Sequence, residues 1–154
     1  MVTLDTNDIR IAAHVAFDRG WPSLMAGLTN RNGGSADPFY RHVIGALGEC
    51  VFAKYANIYW DGSVNRFKGM GKDVGNFQIR ARSGPLPLII RPADADADTF
   101  VLVYKTTSLT HWEVAGWMGG AEGKQIGKLT AMQGGERYQI EIAQLHPMSE
   151  LRIA

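Results

Sequence analysis

An α+β fold, with a mixed β-sheet flanked by helices, is what the sequence predicts. Three observations carry it. Two apolar stripes at helical spacing occupy the first third of the chain. Several short strand-like runs then follow one another from Ile58 to Trp117. A Gly- and Lys-rich segment, expected to be loop with a short helix, separates them from a last alternating run. Helices first and strands in succession afterwards is the order of an α+β domain rather than of alternating α/β units. The 154 residues suit a single domain, 1–154, large enough to bury a core.

Asp5 or Thr6 is placed to cap a first helix. Ile9, Ala12, Ala13, Ala16 and Phe17 then form one apolar stripe. Gly20-Trp21-Pro22 is expected to break or kink it, with Leu24, Met25 and Leu28 continuing for a turn or two. Residues 29–36, with Asn32-Gly33-Gly34-Ser35, are loop by composition. Asp37-Pro38 restarts a helix, Asp as cap and Pro at the first helical position. That helix is expected over Pro38–Ala56, ending near Asn57. Its stripe holds Val43, Leu47, Val51 and Tyr55, and a narrower face holds His42, Gly45, Glu49, Phe52 and Ala53. Gly45 and Gly48 each cost a helix about 0.5–1 kcal/mol relative to Ala, so their expected benefit is close approach to another element. Glu49 beside them is either held at that interface or solvated on the surface.

Ile58-Tyr59-Trp60 is a short strand or the run into one, and 61–72 is a Gly-rich basic loop carrying Arg66, Lys68 and Lys72. Asp73 then precedes a tight turn at Gly75-Asn76, residues that tolerate the positive φ such a turn needs. Phe77, Ile79 and Ala81 alternate with Gln78, Arg80 and Arg82, so a strand here has one apolar and one polar face. A carboxamide and two guanidiniums aligned just after an aspartate suit a site; a solvated edge strand gives the same pattern. Leu86–Arg91 is a short apolar strand, with Pro87 at its start or at an edge. Asp94-Ala-Asp-Ala-Asp98 lacks the Gly and the distal Glu of a calcium loop and is expected to be a solvated turn. Phe100–Tyr104 is a continuous apolar run, the best candidate for a fully buried strand. Residues 106–110 turn into its hairpin partner, His111–Trp117. Residues 118–133 are loop with a short helix, Arg137–Ile142 is a last strand, and 145–154 is a tail.

Composition narrows the class. With 45% hydrophobic and 20% charged residues the chain suits a soluble globular protein. No apolar run is long enough to cross a bilayer, and Met1–Arg10 has no apolar signal region. A net charge of +1 gives no global hint of nucleic acid, so any such partner must be held by a local basic patch. The single cysteine, Cys50, excludes an internal disulfide and suits a reducing, cytoplasmic compartment.

Several chemistries are rejected on spacing. Gly123-Lys124 ends like a phosphate-binding loop, but positions 118 and 125 hold Met and Gln. Gly69-Met-Gly71 is followed by Val74 where a dinucleotide fingerprint needs Gly. His14, His42, His111 and His146 have no zinc-ligand spacing with each other or with Cys50. Cys50 suits a small buried hydrophobe better than a nucleophile.

What survives is Glu49 on a helix, Asp73 before a turn, and Gln78-Ile79-Arg80 on a strand. In this order they resemble the PD-(D/E)XK nuclease superfamily, in particular its small phage-type members. The later Phe100-Val-Leu-Val and Val114-Ala-Gly-Trp117 runs are similar to the core of those members. The resemblance implies a restriction-endonuclease-like αβββαβ core with an extra N-terminal helix, and a Mg²⁺- or Mn²⁺-dependent DNA endonuclease or resolvase-like phosphodiesterase. It implies Glu49, Asp73, Gln78 and Arg80 as the catalytic set. Glu49, Asp73 and the backbone carbonyl of Ile79 would be the metal ligands. Arg80, Arg82, Lys68 and Lys72 would contact DNA phosphates, giving position and salt-dependent affinity. DNA is the implied partner, a homodimer is compatible with it, and no membrane is involved. If virus-encoded, the protein works in the host cytoplasm. Two positions depart from the pattern. Gln78 stands where Glu is usual and removes one negative charge. Arg80 stands where Lys is usual, and Arg clamps a phosphate but cannot act as a base. Two other readings compete with catalysis: a catalytically degenerate module that grips nucleic acid or a protein, and a structural protein whose Glu49, Asp73 and Arg80 form an ion-pair network.

Overall fold

The computed structural model describes residues 1–25, 38–62, 71–132 and 134–153. The expected 29–36 loop, the Asp37 cap, Leu28, Arg66, Lys68 and Gln133 lie outside them. The described residues form an α+β arrangement of three α-helices and two sheets. Among them no helix is long and apolar enough to cross a membrane.

Helix α1 spans Thr6–Met25. Asp5 caps it: its Oδ1 accepts from the backbone N–H groups of Asn7 and Asp8 at 2.8 and 2.9 Å, and Asp8 Oδ2 accepts from the Asp5 N–H at 2.9 Å. This reciprocal arrangement satisfies donors that a helix start otherwise leaves unpaired. The helix does not break at Pro22. It runs on to Met25, with Pro22 lacking the N–H that would bond back into the preceding turn. Ala12 and Ala16 are fully buried as expected, but Phe17 is half exposed and lies against Trp21 and Phe39 instead of the core.

Helix α2 spans Pro38–Ala56, as the sequence predicts. Asn57 ends it with φ +53°, while Ile58 N–H donates to Ala53 O at 2.9 Å. A left-handed residue followed by that backward bond is a common helix stop. Gly48 makes the expected close approach: a Cβ there would overlap Ala81 Cβ and come within 2.9 Å of Val103 Cγ2. Gly45 does not, since nothing lies within 4 Å of a Cβ built on it. Tyr55 faces outward rather than into the core.

The first sheet is mixed. It is ordered β1 (Val2–Thr3), β5 (His111–Gly119), β4 (Thr99–Lys105), β2 (Phe77–Arg82). Strands β2 and β4 are parallel, with Ile79 opposite Val101, and the other pairs are antiparallel. The second sheet is antiparallel, ordered β3 (Leu88–Ile90), β7 (Gly135–Ile140), β6 (Lys128–Met132). The strands therefore divide between two sheets instead of forming one. β6 arises where the sequence predicts loop: its side chains are nearly all exposed, so it carries no apolar alternation. Ile58–Trp60 is not a strand. Helix α3, Gly120–Ile126, is the expected short helix. Two 3₁₀ turns, Ile142–Gln144 and Met148–Glu150, fill the tail.

The mixed sheet is covered on both faces. Phe77, Ile79, Val101 and Val103 join Leu47, Val51 and Phe52 of α2 in one core. Phe100 and Leu102 join Leu88, Ile90, Met118 and Ile140 in another, toward the second sheet. Strand β4 is buried on both sides, which is why its sequence is an unbroken apolar run. In β2 the odd positions face α2, so Gln78, Arg80 and Arg82 face the second sheet.

Candidate functional site

Strand β2 is an edge strand, with one row of backbone groups unpaired by the sheet. Asp73 fills part of that row. The chain doubles back at Gly75, φ +56°, and Asp73 N–H donates to Phe77 O at 3.0 Å. This folds the aspartate alongside the strand it precedes, where its Oδ2 accepts from Ile79 N–H at 2.7 Å. A strand residue directs its N–H and C=O to the same side. The Ile79 carbonyl therefore points to the edge that Asp73 occupies.

Glu49 approaches from α2. It is 7% exposed and is the buried charged residue among the described core. Arg19 of α1 donates from Nη1 to Glu49 Oε1 at 2.6 Å and from Nη2 to Oε2 at 2.8 Å. Trp60 Nε1 adds a bond to Oε2 at 3.1 Å. Burial pushes the Glu49 carboxyl up; Arg19 draws it back, and the nearby Asp73 charge raises it further. Burial also pushes Asp73 up, against the Ile79 N–H and the charges of Arg80 and Arg19. Burial pulls Arg19 down, but Glu49 and Asp73 more than offset this, and its pKa is raised.

On the other face, Arg80 Nη2 donates to Asp94 Oδ2 at 2.8 Å and Nε donates to Ile89 O at 3.3 Å. Its guanidinium lies 4.7 Å from the centre of the Phe100 ring. Charges thus alternate around the sheet edge: Glu49, Arg19, Asp73, Arg80, Asp94. The acidic turn is not simply solvated. Asp94 pairs with Arg80, Asp96 with Lys124 and Asp98 with Lys72. Its carboxylates face amino-acid cations, which further separates it from a calcium loop.

Of the residues the sequence singles out, Asp73 and Ile79 are bonded to one another, while Glu49 is held by Arg19 and Trp60 and Arg80 by Asp94 on the other face. Gln78 turns its amide away, with Nε2 donating to Gly71 O at 3.4 Å. Lys72 is paired with Asp98, Lys68 lies outside the described residues, and Arg82 sits farther along β2. Cys50 is buried, and burial pushes its thiol to about 11, which leaves almost no thiolate for nucleophilic attack. Sequence reasoning missed Arg19, Trp60 and Asp94. Each acts through a contact between segments distant in the chain, and no local spacing signals it.

A hard divalent cation suits the oxygen donors here, two carboxylates and a backbone carbonyl. Burial makes both carboxyls hold their protons more tightly than usual, so an ion binding there would have to displace protons. Arg19 already engages both oxygens of Glu49 and would compete with an ion there. Among the described residues no three His, Cys, Asp or Glu side chains gather as a metal site. No protein-family model, curated protein or solved structure matches the chain.

Proposed function

We propose that this protein is a divalent-metal-dependent DNA endonuclease or resolvase-like phosphodiesterase of PD-(D/E)XK type, with a restriction-endonuclease-like core. One observation carries the reading: Asp73 bonds the Ile79 N–H at the edge of the strand that bears Gln78-Ile79-Arg80, and its charge is felt by Glu49 and by the Arg19 that Glu49 holds. Glu49, Asp73 and the Ile79 carbonyl would hold Mg²⁺ or Mn²⁺. The bound ion would polarise a phosphate and lower the pKa of an attacking water. Arg80 would then offset charge on the phosphate, as a fixed cation and not as a base. Its guanidinium is bonded to Asp94 and lies over Phe100. Arg82 and the Lys68 and Lys72 loop would hold flanking phosphates.

The test is nicking of supercoiled plasmid with Mg²⁺ or Mn²⁺, compared between the parent protein and Asp73→Asn. Metal-dependent nicking lost in the variant supports the proposal. No cleavage of supercoiled, branched or single-stranded DNA with either metal overturns it.

A second reading is a catalytically degenerate module that binds nucleic acid or a protein. The Arg19 fork favours it, because a guanidinium on both oxygens of Glu49 supplies the charge that a metal would. DNA affinity that falls steeply with salt and survives Asp73→Asn, without cleavage, would mark this reading. Arg80→Lys is a further discriminator: cleavage gained with lysine would identify a nuclease fold that had lost its catalytic cation.

A further inference from the structure

Strand β5 has one edge that β1 covers only at His111 and Trp112. Farther along it, His146 of the C-terminal tail pairs with Trp117: each backbone N–H donates to the other's carbonyl at 3.0 Å. Gly116 lets the tail seat this closely, since a Cβ there would lie 2.7 Å from His146 O and 2.8 Å from Leu145 Cβ. Trp117 Nε1 adds a bond to Pro147 O at 3.2 Å. The tail thus runs past β5 as a strap. Ile142 and Leu145 pack on the second core, and Met148 and Leu151 on the first.

The His146 ring sits between two carboxylates. Its Nε2 lies 3.0 and 2.9 Å from Oε1 and Oε2 of Glu122, in the first turn of α3. Its Nδ1 lies 4.0 Å from Glu150 Oε2, in the second 3₁₀ turn, a charge contact rather than a hydrogen bond. From β5 comes the Trp117 indole, its centroid 4.6 Å from that of the imidazole and the planes tilted by 34°. Among the described residues, Glu122 and Glu150 are the charged groups paired with the ring. Ionised carboxylates only accept, and only the imidazolium donates from both ring nitrogens. A neutral ring bonded to Glu122 turns a lone pair toward Glu150. The indole face likewise favours a cation beside it. The His146 side chain is partly exposed, so solvent protons reach it.

We propose that His146 is a proton-operated clasp: as imidazolium it grips Glu122 and Glu150 and holds the strap, residues 142–151, against β5, and as neutral imidazole it frees Glu150 and loosens the strap. The clasp is closed where the ring is charged and opens as pH rises through the range in which imidazoles titrate, roughly pH 5–8. Nothing in it depends on the phosphodiesterase reading.

The test is amide hydrogen exchange of the full chain at about pH 5.5 and about pH 8, each rate taken relative to its intrinsic value at that pH. The Trp117 and His146 amides report the strap, and those of Val101 and Val103 report β4. Strap protection is expected to fall roughly tenfold from the lower pH to the higher, the scale of one or two partly exposed charge contacts, while β4 protection stays level. His146→Gln is expected to give the parent's high-pH strap protection at both pH values. Glu122→Gln keeps the imidazole and removes its nearer anion, so it is expected to shrink the pH response; it decides the matter if His146→Gln fails to fold. A parent whose strap protection is level across this range overturns the clasp. So does a His146→Gln or Glu122→Gln protein that keeps the parent's full pH response. A parent whose strap and β4 lose protection together also overturns it, because the whole domain then opens instead of the strap.

Discussion

Arg19 donates from both terminal nitrogens to the two carboxylate oxygens of Glu49, at 2.6 and 2.8 Å. The two residues belong to different helices, so the fork ties α1 to α2 beside the edge of the mixed sheet. Glu49 is nearly dry and Arg19 largely so. Removing Arg19 leaves the buried Glu49 carboxylate without its guanidinium. Arg19→Gln is expected to lower stability by about 3 kcal/mol, the low end for breaking a buried ion pair. Glu49→Gln is expected to cost less, because a neutral amide still accepts one bond from Arg19. Urea denaturation of both single variants and the double variant measures the coupling. A double-mutant cycle that closes to zero would show that the fork contributes nothing to the fold.

Asp73 has two tasks that substitution can separate. Its Oδ2 satisfies the Ile79 N–H on the free strand edge, which Asn can also do and Ala cannot. Asp73→Ala is therefore expected to cost about 1–3 kcal/mol of stability, the penalty for an orphaned buried donor. Asp73→Asn is expected to stay near the parent in stability while losing metal-dependent cleavage. Equal unfolding midpoints for the two variants would mean that the Ile79 bond is not needed.

Stability should depend on pH in an unusual direction over part of the range. Burial raises the carboxyl pKa of both Glu49 and Asp73. A carboxyl whose native pKa exceeds its unfolded value favours the native state fully below the unfolded value, near 4. That contribution is lost as pH rises through the raised native value. These two groups should thus oppose the usual acid denaturation just above pH ~4. Asp73→Asn is expected to remove its share, seen in Tm against pH. Mg²⁺ is expected to raise Tm only where both groups are ionised, because it must displace their protons. A Tm difference between parent and Asp73→Asn that is flat from about pH 4 to 7 would contradict this.

The two glycines of α2 make opposite demands. At Gly48 a methyl meets Ala81 and Val103, so Gly48→Ala is expected to destabilise by about 1–3 kcal/mol through overpacking. At Gly45 a methyl meets nothing, so Gly45→Ala is expected to stabilise by about 0.5–1 kcal/mol through helix propensity alone. Thermal unfolding of the pair checks both signs at once.

Local patterns in the chain were enough to specify α1, α2, β2, β4 and β5, because each has a strong period or a chemical cap of its own. Asp5 as cap, Asn57 as stop and the turn at Gly75 all act within a few residues. The alternation of Gln78, Arg80 and Arg82 showed a polar face, but not what lies opposite it. Strand β6 was invisible because pairing with β7, not apolar alternation, forms it. The division into two sheets depends on where β3 pairs, and Leu88–Ile90 is apolar enough to have joined either. The candidate site was half legible. Glu49, Asp73 and Arg80 stood out as acidic and basic groups in suggestive order. Arg19, Trp60 and Asp94 did not, since their partners meet them only when segments distant in the chain pack together. Sequence determines which groups each element offers to a face. Folding alone decides which faces meet, and burial at that meeting sets the proton affinities and the pairing of the charges.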